Sequence, residues 1–560
     1  MTEPGARREA PHGATFPGTH EVTNQAPPLH GYDVAEDAAL LDGVAEEGAG
    51  WAADDLHRLG RLAGSAEVQE MARVVNERGP VLRTHDRYGY RVDEVEFHPY
   101  WHELMARAVT DGLHAAPWRT PRPRPHVARA AKLFVWGQAE MGHLCPISMT
   151  YAVVPALRFA PDLAARYEPL LCAREYDPAP RVPDTKPGLI AGMSMTEKQG
   201  GSDVRANTTT ASPRGDGTWS LVGHKWFTSA PTSDLFLALA QAPGGLSCFF
   251  VPRILPDGRR NAIRLQRLKD KLGNRSNASA EIEYEDATGW LVGDEGRGVR
   301  TIMEMVDQTR LDSMVASASI MRWGTVQAVH HAAHRRAFGT LLVDQPLMGN
   351  VLADLLVESD AATAVALRLA AATDRATEGD AGERAFRRLA LPVVKYWLCK
   401  RAPVHAAEAL ECLGGNGYVE ESQLPRLYRE APVNSIWEGS GNVAALDALR
   451  AMATQPDSVD AFMAELGLAA GADARLDRAV ERLRAELGDA GDLELRARRL
   501  VESMALCLQG ALLVRRGAPA VADAFCASRL DRDWGGAFGT LGSGVDAAAI
   551  VARARVGSAT

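Results

Sequence analysis

The sequence lacks the long apolar runs of membrane-spanning and exported proteins. No stretch of about 18 apolar residues occurs in its 560 residues, which argues against a transmembrane helix. Arg7 and Arg8 have no apolar stretch behind them, so the pattern of a secretory signal is missing as well. We therefore predict no membrane association and a cytoplasmic location.

Clustered cysteine and excess positive charge are also missing. Seven cysteines are scattered along the chain and never spaced C-x-x-C, which argues against a disulfide framework and against a zinc site. The formal net charge of -9 provides no overall attraction to nucleic acid. We expect no bound metal, and contact with DNA would require a local cluster of basic residues.

The two common glycine motifs of nucleotide-binding proteins are absent too. No G-x-G-x-x-G follows a strand-like run and no G-x-x-x-x-G-K-[ST] occurs, so a Rossmann or P-loop site has little support. A chain of this length is expected to hold several domains rather than one core.

What the sequence does contain is a change of hydrophobic periodicity along the chain. Apolar residues recur at helical spacing on both sides of a middle stretch in which Gly, Ser, Thr and Asn punctuate short strand-like runs. This pattern predicts an α+β fold in which a β domain separates two helical regions. The predicted segments are an N-terminal arm at 1–34, a helical domain at 35–187, a β domain at 188–294, a four-helix bundle at 295–454 and an extra helical segment at 455–560.

Two motifs lie in the predicted β domain. M-S-M-T-E-K-Q-G-G-S-D-V spans 193–204, where a glycine pair permits close approach to phosphate oxygens and Ser202 offers a hydroxyl. G-H-K-W-F-T-S spans 223–229 and carries Trp226 beside two hydroxyl residues. Each motif has a plainer interpretation, as a polar strand-to-turn segment and as an inward-facing core tryptophan.

Three further motifs are weaker when taken singly. R-R-A-F-G-T spans 335–340 and C-L-G-G-N-G-Y spans 412–418, both at predicted helix ends. The helix dipole and an ordinary helix C-cap explain such residues equally well. The basic segment L-K-D-K-L-G-N-R-S-N-A-S at 268–279 is interpreted as a solvated or ion-paired face rather than a ligand site.

The motif N-S-I-W-E-G-S-G-N at 434–442 places Glu438 before a glycine-rich turn into the next predicted helix. A carboxylate can remove a weakly acidic carbon-bound proton if burial raises its pKa, and neighbouring Ile436 and Trp437 are compatible with burial. The helix N-terminus would lower the pKa instead, and a surface glutamate in an ordinary turn is the plainer alternative.

Together, and in this order, the motifs resemble the acyl-CoA dehydrogenase family. The resemblance implies a middle β-barrel, bound FAD and α,β-dehydrogenation of an acyl-CoA, with Glu438 as the base and Arg310 close to its loop. Some members carry the base directly before this arginine, but Thr309 stands there and cannot serve. The resemblance also implies FAD contacts from Met195, Thr196, Gly201, Ser202, Trp226, Phe227, Thr228, Ser229, Arg335, Phe338, Gly414, Gly415, Ser440 and Asn442.

Two of these implied contacts depend on geometry, namely which hydroxyl faces the flavin and which residues reach the FAD of another subunit. The sequence leaves open whether Thr228 or Ser229 presents its hydroxyl to the flavin. In the family, an arginine and a phenylalanine at the positions of Arg335 and Phe338 reach the FAD of another subunit, and the glycine motif at 412–418 approaches a neighbour's dinucleotide.

Longer blocks at 192–204, 246–253, 267–279 and 420–442 resemble the AidB branch of this family, the adaptive-response flavoproteins of alkylation stress. The likeness covers nearly the whole chain, including the extra C-terminal segment. It implies a homotetramer with one FAD per subunit, a separate electron acceptor, and a surface for double-stranded DNA on the C-terminal segment.

The DNA-binding alternative can be weighed on the composition of that segment. Residues 455–560 contain 13 Arg and no Lys against 15 Asp plus Glu, so binding requires arginines gathered on one face. The arginines available for such a stripe are Arg496, Arg498, Arg499, Arg515 and Arg516. We favour ordinary ion pairing with Glu494, Glu502 and neighbouring residues. Two alternative functions remain. One is a DNA-associated flavoprotein with vestigial dehydrogenase activity, and the other is a flavoprotein that oxidises a different small molecule.

Overall fold

The computed structural model describes residues 19–119, 121–489 and 491–556. The first 18 residues of the predicted arm, and the last four residues of the chain, lie outside this described part. From residue 19 the arm follows the far end of a long helix of its own chain. There His330 donates to the carbonyl of Pro27 at 2.8 Å, and the Asn24 amide donates to the carbonyl of Arg336 at 2.9 Å.

Helices form both ends of the chain, as the periodicity predicts. They begin at caps that the sequence supplies, such as Asp37 and Ser65, whose side chains accept hydrogen bonds from the first turn. The helices are α1 Ala38–Glu46, α2 Ala53–Ala63, α3 Ala66–Glu77, α4 Pro99–Thr110, α5 Ala116–Arg119, α6 Pro125–Gly137, α7 Leu144–Leu157, α8 Pro161–Leu171, α9 Gly298–His334, α10 Pro346–Thr377, α11 Ala381–Glu411, α12 Gly415–Tyr418, α13 Leu424–Asn434, α14 Gly441–Thr454, α15 Asp457–Gly467, α16 Ala474–Gly488, α17 Leu493–Arg516, α18 Pro519–Phe525 and α19 Ala547–Ala552.

Strands form the middle of the chain. They are β1 Val81–His85, β2 Arg91–Glu96, β3 Ala191–Ser194, β4 Thr210–Pro213, β5 Trp219–Ser229, β6 Leu235–Ala242, β7 Gly245–Pro252, β8 Ile263–Leu268, β9 Ser279–Val292, β10 Arg336–Ala337 and β11 Thr340–Leu341. The large sheet runs β3-β6-β4-β5-β9-β7, with β8 on β9, and β6 also pairs with β7. This last pairing closes the sheet, so the expected middle β-barrel is confirmed.

A hairpin inside the N-terminal helical region was not predicted. Strands β1 and β2 pair antiparallel and dock on the barrel at Leu265, whose N–H donates to Asp93 at 3.2 Å and whose carbonyl accepts from Arg91 at 3.1 Å. The hairpin is held by these polar contacts, by backbone pairing and by Val95, which is buried in the apolar core of the barrel, but β1 has no buried side chain to mark it in the sequence.

The bundle of α9, α10, α11 and α14 confirms the predicted C-terminal helical domain. The first of these helices begins at Gly298, because Thr301, Ile302 and Met305 continue the buried face toward the barrel. Small and aliphatic side chains fill the interior, and most of α9 and α10 is buried on every face.

The C-terminal segment packs against this bundle. The indole of Trp397 on α11 donates to Gln509 on α17 at 3.0 Å. Arg529, fully buried, bonds Asp354 at 2.5 Å and Glu358 at 3.0 Å, both on α10. Among the described residues, no helix is long and apolar enough to cross a membrane.

Candidate active site

The Glu438 loop connects α13 to α14 in a strained conformation. Glu438 has a φ of 57° and Gly439 a φ of 105°. The left-handed region is costly for a residue with a Cβ, so the surrounding structure must hold Glu438 there. Such a residue is worth examining for function.

Two cations hold the loop by its backbone. Lys395 on α11 donates to the carbonyl of Trp437 at 2.9 Å and also to that of Gly439. Arg310 on α9 donates through Nε to the intervening carbonyl of Glu438 at 3.1 Å. Three consecutive carbonyls are therefore fixed from two helices of the bundle.

Arg310 is itself anchored from the other side. Its Nη1 donates to Asp447 at 2.6 Å, and Asp447 also accepts from Arg388 at 2.9 Å. The sequence predicted Arg310 close to the Glu438 loop, and the structure contains this contact together with an ion pair inside the bundle.

The Glu438 carboxyl is enclosed by the protein near Arg310 and Lys395. Its Oε2 is buried and has no hydrogen-bond partner among the described residues. Burial raises the pKa of Glu438 to about 7, although Arg310 and Lys395 lower it and Thr309 adds a hydrogen bond to the carboxyl. Burial therefore outweighs the two cations, and the group titrates near neutral pH.

The rim of the barrel carries Trp226 on a bulge of β5. The register of β5 against β9 shifts between Lys225 and Thr228, so both of these side chains point inward and are buried. The bulge leaves Phe227 exposed. The ammonium of Lys269 lies 3.3 Å from the Trp226 ring centroid, so this lysine of the basic segment stacks on the tryptophan.

The two hydroxyls that follow Trp226 face different surroundings. Thr228 is buried and shares a hydrogen bond of 2.9 Å with Ser194 inside the barrel. Ser229 is half-buried and bonds Ser279 at 3.1 Å. Of the two hydroxyls, only that of Ser229 lies on a face that a ligand can reach.

Cys145 on α7 connects the barrel to the Glu438 loop and was missed from sequence. Burial raises the pKa of its thiol to about 11, with Lys271 and Ser229 lowering it and the nearby Glu438 carboxylate raising it. Ser229 and Glu438 therefore border the same region. A lone cysteine in a helical pattern carries no signal of this placement.

The 193–204 loop lies next to Trp226. The Trp226 N–H donates to the carbonyl of Thr196 at 2.8 Å. A Cβ at Gly201 would lie 2.7 Å from the Thr196 hydroxyl oxygen, so only glycine fits there. Met195 is half-buried and Ser202 is exposed. The loop thus presents backbone and a free hydroxyl beside an aromatic ring.

A second group of predicted residues lies away from Glu438 in the same chain. Arg335 follows α9 about 38 Å along the helix from Arg310. Phe338 is 100% exposed with a φ of 51°. Gly414 and Gly415 follow α11 at its far end, where a Cβ on either would meet no atom within 4 Å.

Ser440 and Asn442 lie at the start of α14, directly after the Glu438 loop. Ser440 occupies the N-cap position but makes no side-chain capping bond. The Asn442 carbonyl oxygen accepts from Arg498 of α17 at 2.8 Å. The C-terminal segment therefore reaches the immediate neighbourhood of Glu438, which the sequence did not indicate.

The five arginines of the predicted DNA-binding stripe each contact an acidic or amide side chain of this protein. Ion pairing is present, as we favoured, but within the described residues it does not involve Glu494 or Glu502. The ion pairs form with acidic residues of other helices and loops. Besides Arg498 on Asn442, the pairs are Arg496 with Asp489 at 3.3 Å, Arg499 with Glu486 at 3.4 Å, Arg515 with Glu465 at 2.9 Å, and Arg516 with Glu47.

Three family models match the chain in the order of its structural regions. The AidB N-terminal domain of adaptive response proteins matches residues 24–178. The acyl-CoA dehydrogenase middle domain matches 192–287, and the acyl-CoA dehydrogenase C-terminal domain matches 296–453.

Individual relatives agree with these matches. AidB of Escherichia coli is 46% identical over 92% of this chain and 95% of its own length. The structure of Caenorhabditis elegans ACDH-11 in complex with C11-CoA superposes with a TM-score of 0.83 and 28% identity, covering 92% of this chain and 94% of the other. An acyl-CoA dehydrogenase from Bacillus anthracis complexed with FAD has a TM-score of 0.66 at 16% identity, covering 89% and 85% of the two chains.

The barrel between two helical regions, the glutamate loop beside its rim and the extended match to AidB agree with one another. Members of the family matched by the middle and C-terminal domains use FAD and act on acyl-CoA thioesters. The chain belongs to the acyl-CoA dehydrogenase family, in its AidB branch.

Proposed function

We propose that the protein is an FAD-dependent acyl-CoA dehydrogenase in which Glu438 removes the α-proton of the substrate. The observation that carries the proposal is the buried, unpartnered Oε2 of Glu438 on a loop fixed by Arg310 and Lys395. A base with a pKa near the working pH is well suited to take a proton from carbon. Its pKa of about 7 meets that requirement.

The residues at the barrel rim fit the group that the family uses. Trp226 offers an aromatic face, Ser229 a reachable hydroxyl, and Gly201 a place where only backbone fits. Exposed Ser202 and the backbone N–H groups beside it suit a pyrophosphate. The proposed FAD contacts on one chain are Met195, Thr196, Gly201, Ser202, Trp226, Phe227, Ser229, Ser440 and Asn442, and buried Thr228 is left out of the set that the sequence predicted.

The remaining proposed contacts come from a neighbouring subunit. Arg335, Phe338, Gly414 and Gly415 lie far from Glu438 in their own chain, and Phe338 is fully exposed there. An exposed phenylalanine held at a positive φ is well suited to bury itself against a second copy. We therefore propose the homotetramer, with each FAD contacted by two subunits.

In the proposed reaction the substrate loses one proton and one hydride, and a C=C bond forms. FAD, when bound, supplies the hydride acceptor for the β-carbon. Glu438 takes the α-proton and becomes neutral, and burial of the carboxyl favours this neutral form. Arg310 and Lys395 act as positioning residues, because they hold the backbone carbonyl of Glu438 and those on both sides of it rather than its carboxyl oxygens.

The substrate class follows from the same site and from relatives. The Caenorhabditis elegans relative was solved with C11-CoA, which supports an acyl-CoA for this chain. A separate acceptor must then reoxidise the flavin. All seven cysteines are unpaired, which is consistent with the reducing cytoplasm that we propose as its location.

The proposal is tested by anaerobic reduction of FAD-loaded protein with a panel of acyl-CoA esters. Wild-type protein should lose its visible flavin absorbance with at least one ester. Glu438→Gln should retain FAD but react slower by about a thousandfold or more, since the proton has no acceptor. The exposed Glu421→Gln is the matched control and should react like wild type. Equal rates for Glu438→Gln and wild type would refute the role of Glu438.

Binding of double-stranded DNA by the C-terminal segment has weaker support. Each of the five arginines in the predicted stripe already has an acidic or amide partner. A contact between these arginines and DNA phosphates would require breaking those interactions. We propose that these contacts serve the fold. A gel-shift titration at low and high salt checks this, and salt-sensitive duplex binding lost in Arg499→Gln would contradict it.

A further inference from the structure

A cavity lies in the C-terminal segment, on the far side of α11 from the Glu438 loop. Its volume is about 370 Å³, within the range of small-molecule sites. It is bordered by α16, α17, the π-turn Cys526–Leu530 and residues 532–534, with Trp397 of α11 at its wall. Trp397 and Lys395 are two positions apart on α11 and so point about 200° away from each other. The cavity is therefore separate from the proposed dehydrogenase site.

Four arginines line this cavity, and they differ in how they are neutralised. Arg529 is buried between Asp354 and Glu358, and Arg499 lies 3.4 Å from Glu486. The remaining two, Arg482 and Arg532, make no ion pair within the described residues.

Arg482 is oriented rather than neutralised. Its Nη2 donates to the carbonyl of Leu530 at 2.7 Å, which ties the guanidinium to the edge of the cavity while leaving its charge unpaired. Arg532 follows two residues later and has a φ of 65°, a conformation that places it beside the same edge. Two unneutralised cations thus line one cavity.

The acidic residues of the lining do not offset these charges fully. Burial raises the pKa of Glu502, a lining residue that makes no ion pair within the described part of the chain. Glu486 spends one oxygen on Arg499, and its Oε2 is buried without a hydrogen-bond partner in the described part of the chain. An unused acceptor of this kind is available to a hydrogen-bond donor on a ligand.

The rest of the wall is apolar and well fixed. Leu483 and Leu506 contribute aliphatic surface from α16 and α17, and Trp397 and Trp534 contribute two indoles. The Trp534 indole donates to the carbonyl of Ala537 at 3.0 Å and stacks under the Arg529 guanidinium at 4.5 Å. A fixed aromatic and aliphatic wall with cations at one edge suits a ligand that is apolar at one end and anionic at the other.

We propose that this cavity binds a small organic anion, with an apolar body against Trp397 and Trp534 and one anionic group on Arg482 and Arg532. Carboxylate and phosphate share the chemistry that these guanidiniums recognise. The ligand does not enter the dehydrogenase reaction, because α11 stands between the two sites.

The test is isothermal titration of FAD-loaded protein with decanoate, decyl phosphate and decanol. We expect both anions to bind and decanol to bind at least about tenfold more weakly, since it lacks the charge. Arg482→Gln combined with Arg532→Gln should weaken anion binding by about tenfold or more. Arg484→Gln, an exposed neighbour paired with Glu481 outside the cavity, should bind like wild type.

A second variant keeps the test independent of the arginines. Leu506→Trp fills the cavity while leaving both cations in place, and it should abolish binding of both anions. Decanol binding as tightly as decanoate, or anion binding unchanged in the arginine double variant or in Leu506→Trp, would overturn the proposal. So would duplex DNA binding that depends on Arg482 and Arg532 when neither anion binds.

Discussion

Replacing Glu438 by glutamine should stabilise the protein, and the size of the effect follows from its pKa. The carboxyl has a reference pKa of 4.5 and a pKa of about 7 in the folded protein. Below pH 4.5 it is protonated in both states and its burial has little cost. Between 4.5 and about 7 stability falls as the pH rises, because the folded state holds a proton that the unfolded state has lost.

Above the folded pKa the whole penalty is present. A difference of this size corresponds to about 3 kcal/mol, at about 1.4 kcal/mol per pH unit. Glutamine has the same shape and no charge, so Glu438→Gln should be more stable than wild type by about 3 kcal/mol near pH 8.5 and nearly equal to it near pH 4.5. An enzyme that keeps a buried base gives up stability for activity.

The measurement is urea unfolding of FAD-loaded wild type and Glu438→Gln at both pH values. Protein concentration must be fixed, since assembly contributes to apparent stability. Glu421→Gln, an exposed substitution, should show no pH-dependent difference from wild type. A stability difference that is the same at both pH values, or a glutamine variant that is less stable near pH 8.5, would refute the burial argument.

Three further predictions concern residues around this carboxyl. Lys395→Met should move the pH midpoint of flavin reduction upward by about one pH unit or more, because a nearby cation is lost, whereas Lys395→Arg should keep it, as stopped-flow reduction across pH would show. Ser229→Ala should weaken FAD binding about fivefold, as fluorescence titration with FAD would show. Thr228→Val should leave FAD affinity unchanged. It should lower the free energy of unfolding by about 1 to 3 kcal/mol in urea, because Ser194 loses its buried hydrogen-bond partner. Phe338→Ala should change subunit stability by less than about 0.5 kcal/mol yet release FAD on gel filtration, and retention of FAD equal to wild type would count against the shared site.

The sequence was sufficient for the order of domains because each region has its own periodicity. Short strand-like runs predicted the β domain, and apolar residues at helical spacing predicted the helical region that holds α9, α10 and α11, whereas the closed barrel was implied only by the family resemblance. The resemblance then identified Glu438. The hairpin at 81–96 escaped because β1 has no buried side chain and β2 buries only Asp93 and Val95, which is too little to give a strand pattern.

The environment of Glu438 could not be predicted, because its determinants are distant in sequence. Lys395 lies on another helix and makes no pattern with the E-G motif, yet it fixes two of the three carbonyls around it. Whether Thr228 or Ser229 faces the ligand depends on a one-residue bulge in β5, and a bulge reverses which face a side chain occupies.

The C-terminal segment is connected to the Glu438 loop through the same helices that hold the loop. Arg498 of α17 bonds Asn442, four residues after Glu438, and Gln509 of α17 bonds Trp397, two residues after Lys395. A strained Glu438 backbone requires a rigid frame, and these two bonds attach that frame to α17 on both sides. The extra segment of this branch is therefore best understood as a brace for α11 and α14. Of the 13 arginines in the segment, Arg498 contributes directly to this brace, whereas Arg515 pairs with Glu465 of α15 and Arg529 with two acids of α10.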